Sequence, residues 1–134
     1  MTRAKIQRVA IDTAAAGDLI EQARSHLRSA RAEGVDAQSA YGLCYQAALK
    51  AMVAALLSNG RRVTSGAGGH IVTIREAQAQ LGLGPAVASR IDHMRRTRHR
   101  IFYDGDEVSE LELDGALADA GAVISTASEA LERA

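Results

Sequence analysis

A formally neutral chain of 134 residues, 47% hydrophobic and 24% charged, has the length for a single domain spanning 1–134, and its balance excludes a polyelectrolyte as a whole. Aromatic residues make up only 3% and Trp is absent, so the core must be built from Ala, Leu, Val and Ile, and an Ala-rich chain with one Pro favours helix. The single cysteine, Cys44, excludes a disulfide framework and a thiolate metal cluster; in its apolar run it reads as a buried, inert thiol.

Residues 1–12 are ambiguous: "KIQRVAID" is compatible with a short strand, a flexible or pairing arm, or a helical turn. "MTRAKIQRVA" lacks the apolar stretch of a signal peptide, so the expected location is cytoplasmic. A first helix is expected from about Thr13 or Asp18 to Glu33, with Asp18 and Glu21 spaced as a capping box. Leu19, Ile20, Ala23, Leu27 and Ala30 form its stripe, and Gly34 is expected to stop it. Asp36 should cap a second helix that ends at Gly60. Its apolar positions (Ala40, Tyr41, Leu43, Cys44, Ala47, Ala48, Ala51, Met52, Ala55, Leu56) cover most of its circumference. Such a helix is central to a bundle, or faces both a core and a partner subunit. Gln46, Lys50 and the excess of Ala over Leu argue against a membrane span.

"RRVTSGAGGH", residues 61–70, is rich in Gly and Ser and is expected to be a loop. Its "GAGG" lacks the Lys-Ser/Thr of a phosphate-binding P-loop. A short third helix should run from Gly69 to Leu81 with Ile71, Ile74, Ala77 and Leu81 on one side. Pro85 suits the first turn of a fourth helix. Ser109 and Glu112 make a capping box for a fifth, Val108 stapling on Leu113, and Leu117, Ala120, Val123, Ile124, Ala127 and Leu131 continue its core side. The fold class expected is all-α, an up-and-down antiparallel bundle of four to five helices.

The fourth helix carries the chemistry. Five of the sixteen Lys and Arg lie between Arg90 and Arg100, and nine acidic residues follow from Asp104 onward with only Arg133 among them, so charge is segregated. At 100° per residue Val87, Ile91 and Met94 form an apolar stripe whose next positions are Arg98, Ile101 and Phe102, while Arg96 and Arg100 point elsewhere. A guanidinium in an apolar seam is costly unless paired. Either Arg98 is a structural, snorkelling or salt-bridged arginine, or it is held at a seam to grip phosphate. His99 adjoins it and Tyr103 lies one turn on, which adds a group titrating near neutrality and a hydroxyl. These are the parts of a metal-independent RNA-cleaving site. His26 reads as a surface residue, and His70 as a helix-start residue that is also placed to line a cleft. No His, Cys, Asp or Glu set has metal-ligand spacing, and no cofactor is expected.

"MRRTRHRIFYDG" resembles the signature helix of HEPN domains (higher eukaryote and prokaryote nucleotide-binding), which carry an Arg, a polar residue and, four to six residues on, a His. Arg95, Arg98, His99, Tyr103, Asp104 and Gly105 fit the prokaryotic form Arg-x-x-Arg-Asn-x-x-x-Tyr-Asp-Gly. "AYGLCYQAALKAMVAALLSNG" is similar to the family's second helix, "GAGGH" to its Gly-His lead into the next, and "VSELELDGALADAGAVISTA" to the helix after the motif. The resemblance covers roughly residues 15–132. It implies that Arg98, His99 and Tyr103 are the catalytic set, although His99 stands where Asn is common and Tyr103 where active ribonucleases have His. Tyrosine, with a pKa of about 10, is a poor base at neutral pH. The resemblance also implies a homodimer, through helices four and two, whose motif helices meet at a cleft. RNA then lies against Arg95, Arg96, Arg100 and His70. Relatives act as RNA-cleaving toxins or defence effectors, often with a nucleotidyltransferase antitoxin, or as non-catalytic binders of RNA, nucleotide or protein. Neither state involves a membrane. A third alternative is a plain helical interaction protein with Arg95, Arg96 and Arg100 neutralised by Asp104, Asp106 or Glu107.

Overall fold

Alanine sets the architecture. In the computed structural model, which describes residues 2–133, helix α2 (Ala37–Ser58) buries Ala40, Ala47, Ala48, Ala51, Ala54 and Ala55. Small side chains all round let neighbours close on every side: α1 (Thr13–Ala30), α3 (Gly69–Leu81), α4 (Pro85–Asp104) and α5 (Glu110–Arg133) all pack on it. Ser39 is the only exposed residue in α2. Fully buried Tyr45, Met52, Leu56, Ile91, Val123 and Cys44 fill the space between helices. Helix α2 is also the one helix among the described residues with the length and hydropathy of a membrane span, and here most of it is buried by protein. The five-helix, all-α bundle expected from the sequence is the fold observed.

Local signals place the helix ends. Asp36 accepts from the Ser39 N–H at 3.0 Å to cap α2. Ser109 and Glu112 cap α5 reciprocally, each backbone N–H donating to the other's side chain at 3.1 Å. Pro85 is the first residue of α4. The first helix starts at Thr13, the earlier of its two expected starts, but its cap and its end differ from expectation. Asp12, not Asp18, is its cap, accepting from Ala15 N–H at 3.0 Å, so Asp18 and Glu21 lie inside the helix and Glu21 pairs with Arg24 instead. The helix ends at Ala30 rather than Glu33: the Arg31 N–H is shared between the Leu27 and Arg28 carbonyls, a tightened last turn that lets residues 31–36 reverse the chain. Gly34, at φ 89°, serves that reversal.

The larger correction concerns residues 61–70, which are not loop throughout. Arg61–Val63 form β2, antiparallel to β1 (Ile6–Arg8) in the register Ile6↔Val63, Gln7↔Arg62, Arg8↔Arg61. The N-terminal residues are therefore a pairing arm. Beyond the strands, Ala4 N–H donates to the Ala67 carbonyl at 2.9 Å and Ala67 N–H to the Thr2 carbonyl at 3.2 Å. Gly66 makes this possible: at φ 143°, a Cβ there would strike the Thr2 carbonyl oxygen. Helix α3 also turns slightly from its expected face. Ile74 and Ala77 are buried with Thr73, whereas Ile71 is 41% exposed.

Candidate functional site

Helix α4 buries Ala88, Ile91, Met94 and Thr97, with Ile101 partly buried after them. The stripe expected through Arg98 to Phe102 is thus displaced by one residue: Thr97 takes the core position, and Phe102 is 79% exposed. Thr97 can be buried because its hydroxyl has partners, accepting from Arg100 at 3.2 Å and lying 3.3 Å from His93 Nε2. Arg98 is left on the flank of the buried stripe, partly covered, with its guanidinium carbon 5.7 Å from the centre of the Tyr45 ring. That distance is within cation–π range.

The other arginines of α4 are occupied. Arg90 pairs with Asp119 at 3.0 Å, and Arg95 and Arg96 share Asp92 at 2.9 and 3.3 Å. Arg100 reaches Asp106 at 3.4 Å. Of the pairs that an interaction protein would need, only this last involves the acidic segment that follows the helix. Arg98 has no carboxylate within ion-pair reach among the described residues.

Tyr45 rises from the floor of the same region. It is fully buried, and burial pushes its phenol up to about 12 despite the opposing charges of Arg95 and Arg98, so it stays an O–H. Its oxygen lies 2.8 Å from His70 Nδ1. Tyr45 makes no other side-chain hydrogen bond among the described residues, so we assign its O–H as the donor to Nδ1. His70 Nε2 then carries the proton of the neutral ring and is the nitrogen left for the cleft. Burial, and next the charges of Arg98 and Arg95, hold the His70 pKa below its ordinary 6.5, so the ring is neutral at neutral pH. His70 also begins α3 immediately after Gly68 and Gly69. Gly68 sits at φ 77° and provides no side-chain cap, which leaves the N–H groups of the first turn free for an anion.

These groups line one cleft of about 420 Å³ formed by Gly68, Gly69, His70, Ile71, Arg95, Arg98 and His99. The structure therefore brings together four of the side chains singled out from the sequence: Arg98, His99, Arg95 and His70. It does not bring in Arg96 or Arg100, which turn to Asp92 and Asp106. Tyr103 is also outside; its ring stands 4.4 Å from that of His99 and 5.0 Å from Phe102, and it is 68% exposed. Tyr45 is the residue that sequence reasoning missed. The available signal was a tyrosine within an Ala-rich helix, whose hydroxyl needs a partner when buried. Cys44 is fully buried with its thiol pushed up to about 11 by burial, as its surroundings led one to expect. No three His, Cys, Asp or Glu side chains among the described residues converge as metal ligands.

The family profile described as HEPN domain matches residues 16–131. The chain belongs to the HEPN family. No curated protein is similar enough to the chain to match it. The match covers all five helices except the first turn of α1 and the last residues of α5, and it leaves out β1. In this HEPN domain Arg98 and His99 both line the cleft, while Tyr103 does not.

Proposed function

We propose that this HEPN protein is a metal-independent endoribonuclease of toxin–antitoxin or defence type that grips an RNA phosphate with Arg98. The observation that carries the reading is that Arg98 is the one arginine of α4 without a carboxylate partner among the described residues, and that it lines a cleft with two histidines and an uncapped helix N-terminus. A guanidinium kept from internal pairing retains its full affinity for phosphate. In the reaction proposed, His99 takes the proton of the ribose 2′-hydroxyl and the 2′-oxygen attacks phosphorus. The bond to the 5′-oxygen breaks and that oxygen takes up a proton from solvent water, giving a 2′,3′-cyclic phosphate and a 5′-hydroxyl, while His99 later returns its proton to solvent. Arg98, His70 Nε2–H and the N–H groups opening α3 donate to the phosphate oxygens as charge builds on them.

The site is completed by a second copy. We place the contact on α4, whose end exposes Phe102 and Tyr103, with the partly buried Leu43 and Leu57 of α2 also available. A two-fold contact there carries Tyr103 towards the partner's cleft. The reading also places the protein in the cytoplasm, beside a nucleotidyltransferase-type antitoxin or another protein partner. The test is cleavage of a mixed RNA pool in EDTA by wild type and Arg98→Ala. Cleavage by the wild type that the variant loses is expected; no cleavage by the freshly purified wild-type dimer would sink the enzymatic reading.

One observation favours a second reading. The side chain at the position of the family's catalytic histidine is a tyrosine lying outside the cleft of its own chain. A non-catalytic module that binds RNA, a nucleotide or a protein through the Arg98 cleft accounts for that. Arg98-dependent RNA binding without cleavage is its signature.

A further inference from the structure

The two-stranded sheet has a charge pattern that its own stability does not explain. Arg3, Lys5, Arg8, Arg61 and Arg62 are all exposed on it, and the chain has no acidic residue between Asp36 and Glu76. The register sets Arg8 directly opposite Arg61. Like charges facing each other across a strand pair destabilise it. Among the described residues Arg61 has one distant carboxylate, Glu76 at 3.7 Å, and Arg62 bonds only to the neutral Gln7 at 2.8 Å. Arg3, Lys5 and Arg8 have no ion pair among the described residues. Cationic side chains on an edge strand do guard it against pairing with another chain. That accounts for isolated charges such as Arg3 and Lys5, but not for two arginines held face to face.

The paired arginines line one depression of about 330 Å³, together with Asn59 and Gly60. Arg61 continues into a second depression of about 350 Å³, with Arg62 on its wall and an apolar lining from Leu49, Val53 and Leu56. Gly69 and His70 line that second depression and also the cleft of Arg98. The three depressions thus adjoin through shared residues. A cationic site at one end connects to an arginine pair at the other that has a single, distant carboxylate, with an apolar stretch between them on which a base can rest. Of the pair, Arg8 on strand β1 lies outside the family match and Arg61 on β2 lies within it.

We propose that the sheet is an accessory binding surface for single-stranded RNA, with Arg8 and Arg61 together holding backbone phosphates of the strand whose scissile phosphate lies at Arg98. This rests on the reading of the Arg98 cleft as an RNA site. The phosphate between the two guanidiniums removes the cross-strand repulsion, so the pair is strained when free and satisfied when bound. The N-terminal arm acts as a ruler: only an RNA long enough to pass from Arg98 to the sheet gains these contacts.

The test uses 2′-O-methylated oligouridylate, which cannot be cleaved, of about 12 nucleotides, beside the dinucleotide UpU in the same chemistry. Affinity is measured against salt for wild type, Arg98→Ala and the double variant Arg8→Gln/Arg61→Gln. Two lost single-strand phosphate contacts should reduce the slope of log affinity against log salt by about 1.4, at about 0.7 per contact. UpU binding, followed by the histidine resonances, should be unchanged in the double variant, and its melting temperature should be unchanged or higher. An unaltered salt slope with Arg98-dependent binding intact would overturn the sheet's role and leave the cleft reading standing. Failure of the wild type to bind the longer oligonucleotide at all would overturn both. Competition by polyglutamate as effective as that by RNA would overturn the assignment to RNA in favour of an acidic protein.

Discussion

Helices α2 and α4 have nearly the same length, 22 and 20 residues, and pack against each other, yet they are specified by different physics. In α2 what matters is volume. Its alanines are fixed by how closely four other helices approach, and only Ser39 along it is largely exposed. In α4 what matters is charge. Its buried stripe is narrow, and each arginine but Arg98 is matched to a carboxylate at 2.9–3.4 Å. Arg98 stands where the two helices meet, above Tyr45 of α2. The packed helix thus supplies a neutral, aromatic floor, and the charged helix supplies its one arginine without a carboxylate partner among the described residues. A site of this kind needs both: a floor without slack, and a charge without a partner.

The comparison breaks most visibly at Arg98. On the ribonuclease proposal, Arg98→Ala should lower cleavage by about 10²–10³-fold, the usual cost of removing a group that stabilises developing charge. It should cost only about 0.5–2 kcal/mol of stability, the worth of a partly covered cation–π contact on a buried ring. Chemical denaturation alongside single-turnover cleavage separates the two. A stability loss as large as that of a core residue would mean that Arg98 is structural and that α4 is packed like α2. The reverse case is Met52→Ala in α2, where the side chain is fully buried. A loss of about 2–5 kcal/mol is expected from transfer and cavity terms, with the rate per folded molecule unchanged.

The floor itself can be probed through His70. Tyr45→Phe removes one neutral hydrogen bond, about 1 kcal/mol, and frees the His70 ring to turn. Its signature is weakened RNA binding with α2 otherwise intact. The titration of His70 gives a finer readout. Because folding holds its pKa below 6.5, the neutral ring is favoured in the native state. Its contribution is fully present above pH 6.5, where the ring is neutral in both states. It is lost as pH falls from 6.5 through the lower folded value, because the unfolded chain takes up the proton first. Arg98→Gln should raise the His70 titration seen by NMR but leave it below 6.5, since burial is the larger cause and remains.

What was legible in the sequence was what is local. The Ser109–Glu112 box, the Asp36 cap and Pro85 lie within one turn of the structure they set, and all three are where the sequence put them. The Ala-rich second helix was legible as central because its pattern has no polar side. The strand at Arg61–Val63 was not, since its partner is Ile6–Arg8 and nothing within "RRVTSGAGGH" encodes that distant pairing. Arg98 was legible as unusual but for a reason that needed correction. Stepping by 100° allows stripes through either Thr97 or Arg98, and the choice falls to Thr97 because its hydroxyl finds partners in His93 and Arg100. The Arg98–His99 pair was singled out from the resemblance to the motif, and the two side chains line one cleft. The Tyr45–His70 contact was not, because it joins helices 25 residues apart through a hydroxyl that no periodicity reveals.

The smallest effect is expected at Arg96, one turn from the site and on the same charged helix. Its guanidinium is half exposed and shares Asp92 with Arg95. An exposed pair of this kind is worth about 0–1 kcal/mol, and Arg95 remains to satisfy the carboxylate. Arg96→Ala should therefore leave both the denaturation midpoint and the cleavage rate close to wild type. RNA affinity should move only through a modest change in salt dependence. This near-null result is informative because Arg96 and Arg98 carry the same side chain two positions apart. If Arg96→Ala were as damaging as Arg98→Ala, the helix would act through its summed positive charge, and partnering by Asp92 would not matter. If only Arg98→Ala is damaging, the function resides in the absence of a carboxylate beside one particular guanidinium.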